Sequence, residues 1–192
     1  MKTSVIKSEL FNSSQWSGGS TTELYIHPVK SEYKKFNFDF RLSTATVEVE
    51  TSVFTPLPGV SRTLMVLEGE MKLMHKDRHE KIVKPLDIDQ FKGDWHTISE
   101  GKCVDFNLMT RGATSGTLTG KIFKPEEKWN FLIEDNSSFV LVYAYSGQIE
   151  ITLNTNHPLH AGDLFCIEEP DNHSVLIKAT EQAKVVICAV SK

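Results

Sequence analysis

The chain has 192 residues, 40% hydrophobic and 24% charged, which excludes disordered and fibrous classes and suits one domain or two very small ones. Its 21 basic and 25 acidic residues leave a formal charge of −4, so there is no electrostatic footprint for nucleic acid or an anionic membrane. The longest apolar run, residues 139–145, is far short of the roughly 20 residues that span a bilayer. No apolar stretch near Met1 reads as a secretory signal, and Cys103, Cys166 and Cys188 form an odd set without CxxC spacing. A reduced, cytoplasmic protein is expected.

Taken in chain order, the dominant period is two. Residues 22–27 read as a strand, as do 36–43, where Phe36, Phe38, Phe40 and Leu42 alternate with polar residues. In 45–50 the apolar set moves to odd positions, a phase slip that predicts a bulge or bend near 43–45. Further strands are expected at 62–67, 70–75, 103–109, 139–145, 148–153, 164–167, 174–178 and 184–190. The best helical candidate, 126–133 after Pro125, is short enough to be a strand instead. Many short strands separated by turn residues predict an all-β fold.

The chain also echoes itself. Residues 64–74 align with 142–152 as hairpins centred on Gly69 and Gly147. A Gly-Asp pair follows each, Gly93-Asp94 and Gly162-Asp163, and then a histidine, His96 or His173. Two tandem barrels are expected, residues 1–115 and 116–192, with the boundary in the Gly/Thr/Ser-rich stretch 112–120. These repeats resemble the cupin barrel, a jelly-roll-like fold, and the pair resembles a bicupin. Six further motifs are similar to the HutD/Ves family. They are Trp16-Ser-Gly-Gly-Ser-Thr-Thr-Glu23, Phe40-Arg-Leu-Ser-Thr-Ala45, Pro58-Gly-Val-Ser-Arg62, Leu67-Glu-Gly69, Phe91-Lys-Gly-Asp94 and Asp105-Phe-Asn-Leu-Met-Thr-Arg111. The resemblance implies a bacterial cytoplasmic bicupin. One branch is linked to histidine utilisation, with N-formyl-L-glutamate as a regulatory ligand, and another to environmental stress.

Cupins often hold a metal, but counting back from Gly69 places Arg62 where the first cupin motif has its glutamate, and counting back from Gly147 places Val140 there. Neither position follows a His-x-His pair, so no metal and no cofactor are expected. His75 and His79 read as the charged tip of a hairpin, and His157 and His160 as a turn broken by Pro158. Nucleophile elbows and phosphate loops are absent, and Gly18-Gly19-Ser20 reads as structural. What remains is a polar strand face. If it lines a barrel lumen, Arg41, Ser43, Arg62, Asp105, Asn107 and Arg111 converge there, with Trp16 and Glu23 at the mouth. The arginines would grip a carboxylate and Asn107 would read a neighbouring amide or formyl group. The competing reading turns this face outward, with Arg41 and Asp105 as an ordinary ion pair.

Three functions compete. The first is a non-catalytic protein that binds a small acidic metabolite. The second is a cupin enzyme acting on such a metabolite, either a metal-free isomerase or lyase or one with a weak metal site around His96 or His173, with Asp105 or His96 as general acid or base. The third is a scaffold that uses its sheets to form a homodimer.

Overall fold

The structure is a computed structural model that describes residues 1–171 and 173–192. The chain forms two units, one from Phe11–Thr114 and one from Met1–Leu10 with Ser115–Lys192. The first ten residues, expected in the N-terminal half, belong with the C-terminal half because β1 (Lys2–Ile6) pairs with a strand there. The Phe11–Thr114 unit contains β2 (Asn12–Trp16), β3 (Gly19–His27), β4 (Phe40–Val47), β5 (Thr51–Val53), β6 (Val60–Gly69), β7 (Met71–His75), β8 (Glu80–Val83), β9 (Ile88–Lys92), β10 (Thr97–Glu100) and β11 (Cys103–Arg111). The other unit continues with β12 (Ser115–Phe123), β13 (Lys128–Leu132), β14 (Phe139–Ser146), β15 (Ile149–Thr152), β16 (Asn156–Leu159), β17 (Leu164–Glu168), β18 (Ser174–Ala179) and β19 (Ala183–Ser191). Among the described residues there is no α-helix, and two single 3-10 turns lie at Ser8–Leu10 and Tyr33–Lys35.

Each unit is built from two antiparallel sheets. The Phe11–Thr114 unit has the orders β2-β3-β4-β11-β6-β9 and β5-β10-β7-β8. The other has β1-β17-β14-β19-β12 and β13-β18-β15-β16. Eight strands correspond in order, β4 to β11 with β12 to β19, because every pairing among those eight in one unit recurs in the other. The agreement extends to irregularities. The register shift of β6 against β11 leaves Leu67 over, and that of β14 against β19 leaves Tyr145 over, each two residues before the hairpin glycine. Gly69 and Gly147 both have φ 76°, the left-handed region that favours glycine.

Several local readings change. Residues 36–39 are not strand. The 3-10 turn ends in Phe36 at φ 53°, and Phe38 packs with Leu57, Val60 and Met109 before β4 begins at Phe40. The bulge beside this stretch lies on the neighbouring strand β3, whose Leu24 is left over opposite Leu42 and Ser43, and β4 itself gains no extra residue. Its register against β11 is continuous, and one face simply changes along its length from Arg41 and Ser43 to Ala45 and Val47. The short candidate 126–133 is the strand β13. The units divide between Thr114 and Ser115, inside the stretch expected as a boundary, and the remainder of that stretch is strand, β12, where glycines and threonines weaken the alternation without preventing pairing. Pro158 sits in β16, which is an edge strand and tolerates a missing donor.

The glycine geometry gives a stability prediction. A Cβ at Gly69 would lie 2.4 Å from the Lys102 carbonyl oxygen, and one at Gly147 2.2 Å from that of Gln182. Gly59 has a similar φ of 74° with nothing within 4 Å. Gly59→Ala should therefore cost only the left-handed strain, about 1–2 kcal/mol. Gly69→Ala and Gly147→Ala should each cost clearly more in urea unfolding. Equal losses at Gly59 and Gly69 would contradict the close-approach account.

Candidate functional site

The site is laid out on three neighbouring strands of the Phe11–Thr114 unit. β11 runs between β4 and β6, and its Met109 pairs with Arg41 on one side and Arg62 on the other. The next row on the same face is Ser43, Asn107 and Leu64, and the third is Ala45, Asp105 and Val66. Two strand spacings separate the arginine backbones by roughly 10 Å, close enough for long side chains to serve one ligand. The opposite face carries Phe40, Leu42, Phe106 and Leu108, which are also buried.

The rows run into two apolar clusters, one that includes Leu64, Val66 and Phe91 and one that includes Met109, Phe38, Leu57 and Val60. They form part of the wall of a cavity of about 650 Å³. That is the size range of small-molecule sites. Arg41, Ser43, Arg62, Asn107 and Trp16 all line it. Trp16, at the rim, is partly exposed, and Gly18 leaves its ring room, since a Cβ there would meet it at 2.2 Å.

The side chains form two networks. Arg41 donates from Nε to Glu23 Oε2 at 2.6 Å and from Nη1 to Ser43 Oγ at 3.0 Å, and its guanidinium lies 4.5 Å from the Tyr33 ring centre. Arg41 is thus committed to Glu23, and the ion pair with Asp105 that an outward face would have offered does not form. In the second network Asn107 is the bridge. Arg62 Nη2 donates to Asn107 Oδ1 at 2.7 Å, and Asn107 Nδ2 donates to Asp105 Oδ1. Arg62 is flanked by Phe54 and Phe91, 4.6 and 5.2 Å from their ring centres. Its Nε is buried without a hydrogen-bond partner.

Burial pushes the Asp105 carboxyl up from 3.8 to about 7, although the Arg62 charge and the Asn107 hydrogen bond pull the other way. Burial also lowers Arg62 to about 10, with Asp105 opposing the shift and Arg41 adding to it. Burial and the Asp105 charge raise the Cys103 thiol to about 12, which removes it as a nucleophile at neutral pH.

The remaining expected residues fall elsewhere. Arg111 sits near Phe36 and Phe38 and lines a separate depression with Lys92 and Asp94. Asp105 and Glu23 support the cavity wall without lining it, and the exposed His96 does not line it either. A metal of the kind cupins hold does not fit this cavity. Its polar wall presents two guanidinium cations, and Arg62 occupies the motif's glutamate position. Tyr33 and Phe54 are partners the sequence pattern did not single out, and Phe91, which opens one of the family-like motifs, joins them against Arg62. His75 also departs from its expected place. It is buried at the end of β7, and only His79 lies on the exposed turn.

The equivalent positions of the other unit sharpen the contrast. By strand register and distance from the hairpin glycine, Arg62, Asp105 and Asn107 correspond to Val140, Val185 and Ile187. Those three are buried in a continuous apolar core. The polar cavity wall belongs to one unit only.

The HutD family model matches residues 8–187 of the chain. No curated protein sequence matches it. Among solved structures, a conserved protein of unknown function from Pseudomonas aeruginosa PAO1 is similar over 100% of both chains, at 23% identity and a TM-score of 0.85. HutD from Pseudomonas fluorescens SBW25, solved in a formate condition, is similar over 99% of this chain and 98% of its own, at 19% identity and TM-score 0.74. The nickel(II) complex of the Escherichia coli pirin YhhW covers 98% of both at 10% identity and TM-score 0.70. These likenesses place the two all-β units in the cupin fold.

Asp105 generates a pH prediction. A folded-state value near 7, above the unfolded 3.8, means the folded chain binds the extra proton between those limits. Its contribution to stability therefore falls as pH rises from about 4 to about 7. Asp105→Asn should remove that fall and gain stability relative to wild type at pH 8 compared with pH 4.5. Parallel stability curves for the two proteins would contradict the assignment.

Proposed function

Since the chain belongs to the HutD family, we propose that it is a non-catalytic protein that binds a small carboxylate-bearing metabolite in the cavity of its Phe11–Thr114 unit, with N-formyl-L-glutamate of histidine utilisation as the ligand. The observation that carries this reading is Arg62. It stands at the cavity wall without an ion-pair partner among the described residues, and its Nε has no acceptor. An unpaired buried donor costs about 1–3 kcal/mol. A carboxylate accepting from the guanidinium where it lines the cavity would give Arg62 the ion-pair partner it lacks.

The neighbours fit the rest of such a ligand. Ser43 accepts from Arg41 and keeps its own hydroxyl proton to donate. Asn107 has a second amide proton beyond the one given to Asp105. Glu23 neutralises Arg41, so the net attraction for an anion comes from Arg62. Asp105 modulates it. When its carboxyl takes up a proton, Arg62 stands uncompensated and an anion binds more tightly.

Isothermal titration with N-formyl-L-glutamate, glutamate, urocanate and formiminoglutamate tests the reading. Saturating ligand at about 100 times its Kd should add about 2.7 kcal/mol of stability. Arg62→Ala should weaken binding by about 2–4 kcal/mol, roughly 30- to 1000-fold. Affinity should be higher at pH 6 than at pH 8, and Asp105→Asn should flatten that dependence. Undiminished affinity in Arg62→Ala would reject the proposal.

A further inference from the structure

His75, His79 and Asp89 lie outside the cavity wall described above, on three separate segments of the Phe11–Thr114 unit. His75 ends β7, His79 sits on the turn that leads to β8, and Asp89 is on β9 in the other sheet. The turn is held by mutual backbone bonds, His75 N–H to the His79 carbonyl at 2.9 Å and Arg78 N–H to the His75 carbonyl at 3.0 Å. It brings the two imidazole centres to 4.6 Å. His75 Nε2 lies 2.9 Å from Asp89 Oδ2, and His79 Nε2 lies 3.1 and 3.2 Å from the two Asp89 oxygens. One donor atom from each of the three residues falls within 4.8 Å of the others.

The proton inventory defines what this arrangement needs. Thr97 is fully buried, and its hydroxyl donates to the Trp95 carbonyl at 3.3 Å. With its only proton placed there, Thr97 Oγ1 accepts from His75 Nδ1–H at 2.8 Å. Nε2 of a neutral His75 then carries a lone pair, and that lone pair faces a carboxylate oxygen. A cation or a second proton must stand between them. His79 can donate its own Nε2–H to Asp89, so the gap left to fill is the one between His75 Nε2 and Asp89, and a metal ion placed there would take all three converging donors at once. The hydroxyl behind His75 also fixes its ring and tautomer, as outer partners of ligating histidines do.

We propose that His75, His79 and Asp89 form a binding site for a single divalent transition-metal ion of the zinc, nickel or iron class. Two imidazoles and one carboxylate suit these ions rather than magnesium or calcium, which prefer all-oxygen shells. Ligand atoms about 2.0–2.2 Å from zinc in a tetrahedron lie about 3.3 Å apart, close to the short donor separations seen here. Phe91 and Trp95 wall the site, 4.6 and 5.5 Å from the His75 ring centre. The His79 side chain is 41% exposed, which leaves a route for the ion and room for water as further ligand. The fold does not impose this set. By register and spacing the equivalent positions in the other unit are Leu153, Thr155 and Phe165.

The test uses the full chain stripped with a chelator and titrated with Zn²⁺, and with Co²⁺ as a spectroscopic probe. One equivalent should bind, Co²⁺ should show ligand-field absorption and quench Trp95, and Mg²⁺ should do neither. His79→Ala changes an exposed turn residue and keeps the fold checkable by circular dichroism. It should weaken Zn²⁺ binding at least about 100-fold, since even outer partners of ligating histidines are worth 10–100-fold. Absence of saturable Zn²⁺ or Co²⁺ uptake would overturn the site, and so would uptake that His79→Ala leaves unchanged.

Discussion

The amide of Asn107 is the interaction on which the site depends. It accepts from Arg62 and donates to Asp105, so one side chain on the central strand joins a cation from β6 to a carboxyl from its own strand. Removing these groups from water is costly, and the cost shows as the raised Asp105 and the lowered Arg62. The bridge leaves Arg62 Nε unsatisfied. A packed apolar core would have been cheaper to build, and the other half of the molecule has one.

That comparison is internal to the chain. The same eight-strand topology occurs twice, with the same bulge two residues before the same left-handed glycine. At matched positions one copy has Val140, Val185 and Ile187, and the other has Arg62, Asp105 and Asn107. The scaffold therefore needs no polar group at those places. Fold alone implies no function. The departure from the apolar solution is what supports the proposal of a ligand at the polar wall.

Much of this was legible in the residues. The paired hairpin glycines mark the duplication because only glycine accepts both that φ and the close approach of a facing carbonyl. Alternation brought Arg41, Ser43, Asp105 and Asn107 to one face, but could not say where that face points. Phe40, Leu42, Phe106 and Leu108 are buried on the opposite side, so both faces of the sheet are covered and apolarity does not mark the cavity. The phase slip near 43–45 reflects a β4 face that turns from polar to apolar, while the bulge beside it is carried by Leu24 of β3. Arg111 continues the alternation yet extends beyond the cavity, at the end of its strand. His75 was hidden by its charged neighbours Lys76, Asp77 and Arg78, which belong to the exposed turn beyond it. The available signal was Asp89, a carboxylate sharing the face of Phe91 in a short strand.

The central claim is that Arg62, rather than Arg41, takes the ligand's carboxylate. The most direct measurement is a proton–nitrogen NMR correlation spectrum of the arginine Nε–H groups, titrated with N-formyl-L-glutamate and assigned with Arg62→Lys and Arg41→Lys. The account predicts a large saturable shift of the Arg62 Nε–H signal, with the Arg41 signal held near its Glu23-bound position. An Arg62 signal that stays fixed while the ligand saturates would contradict it.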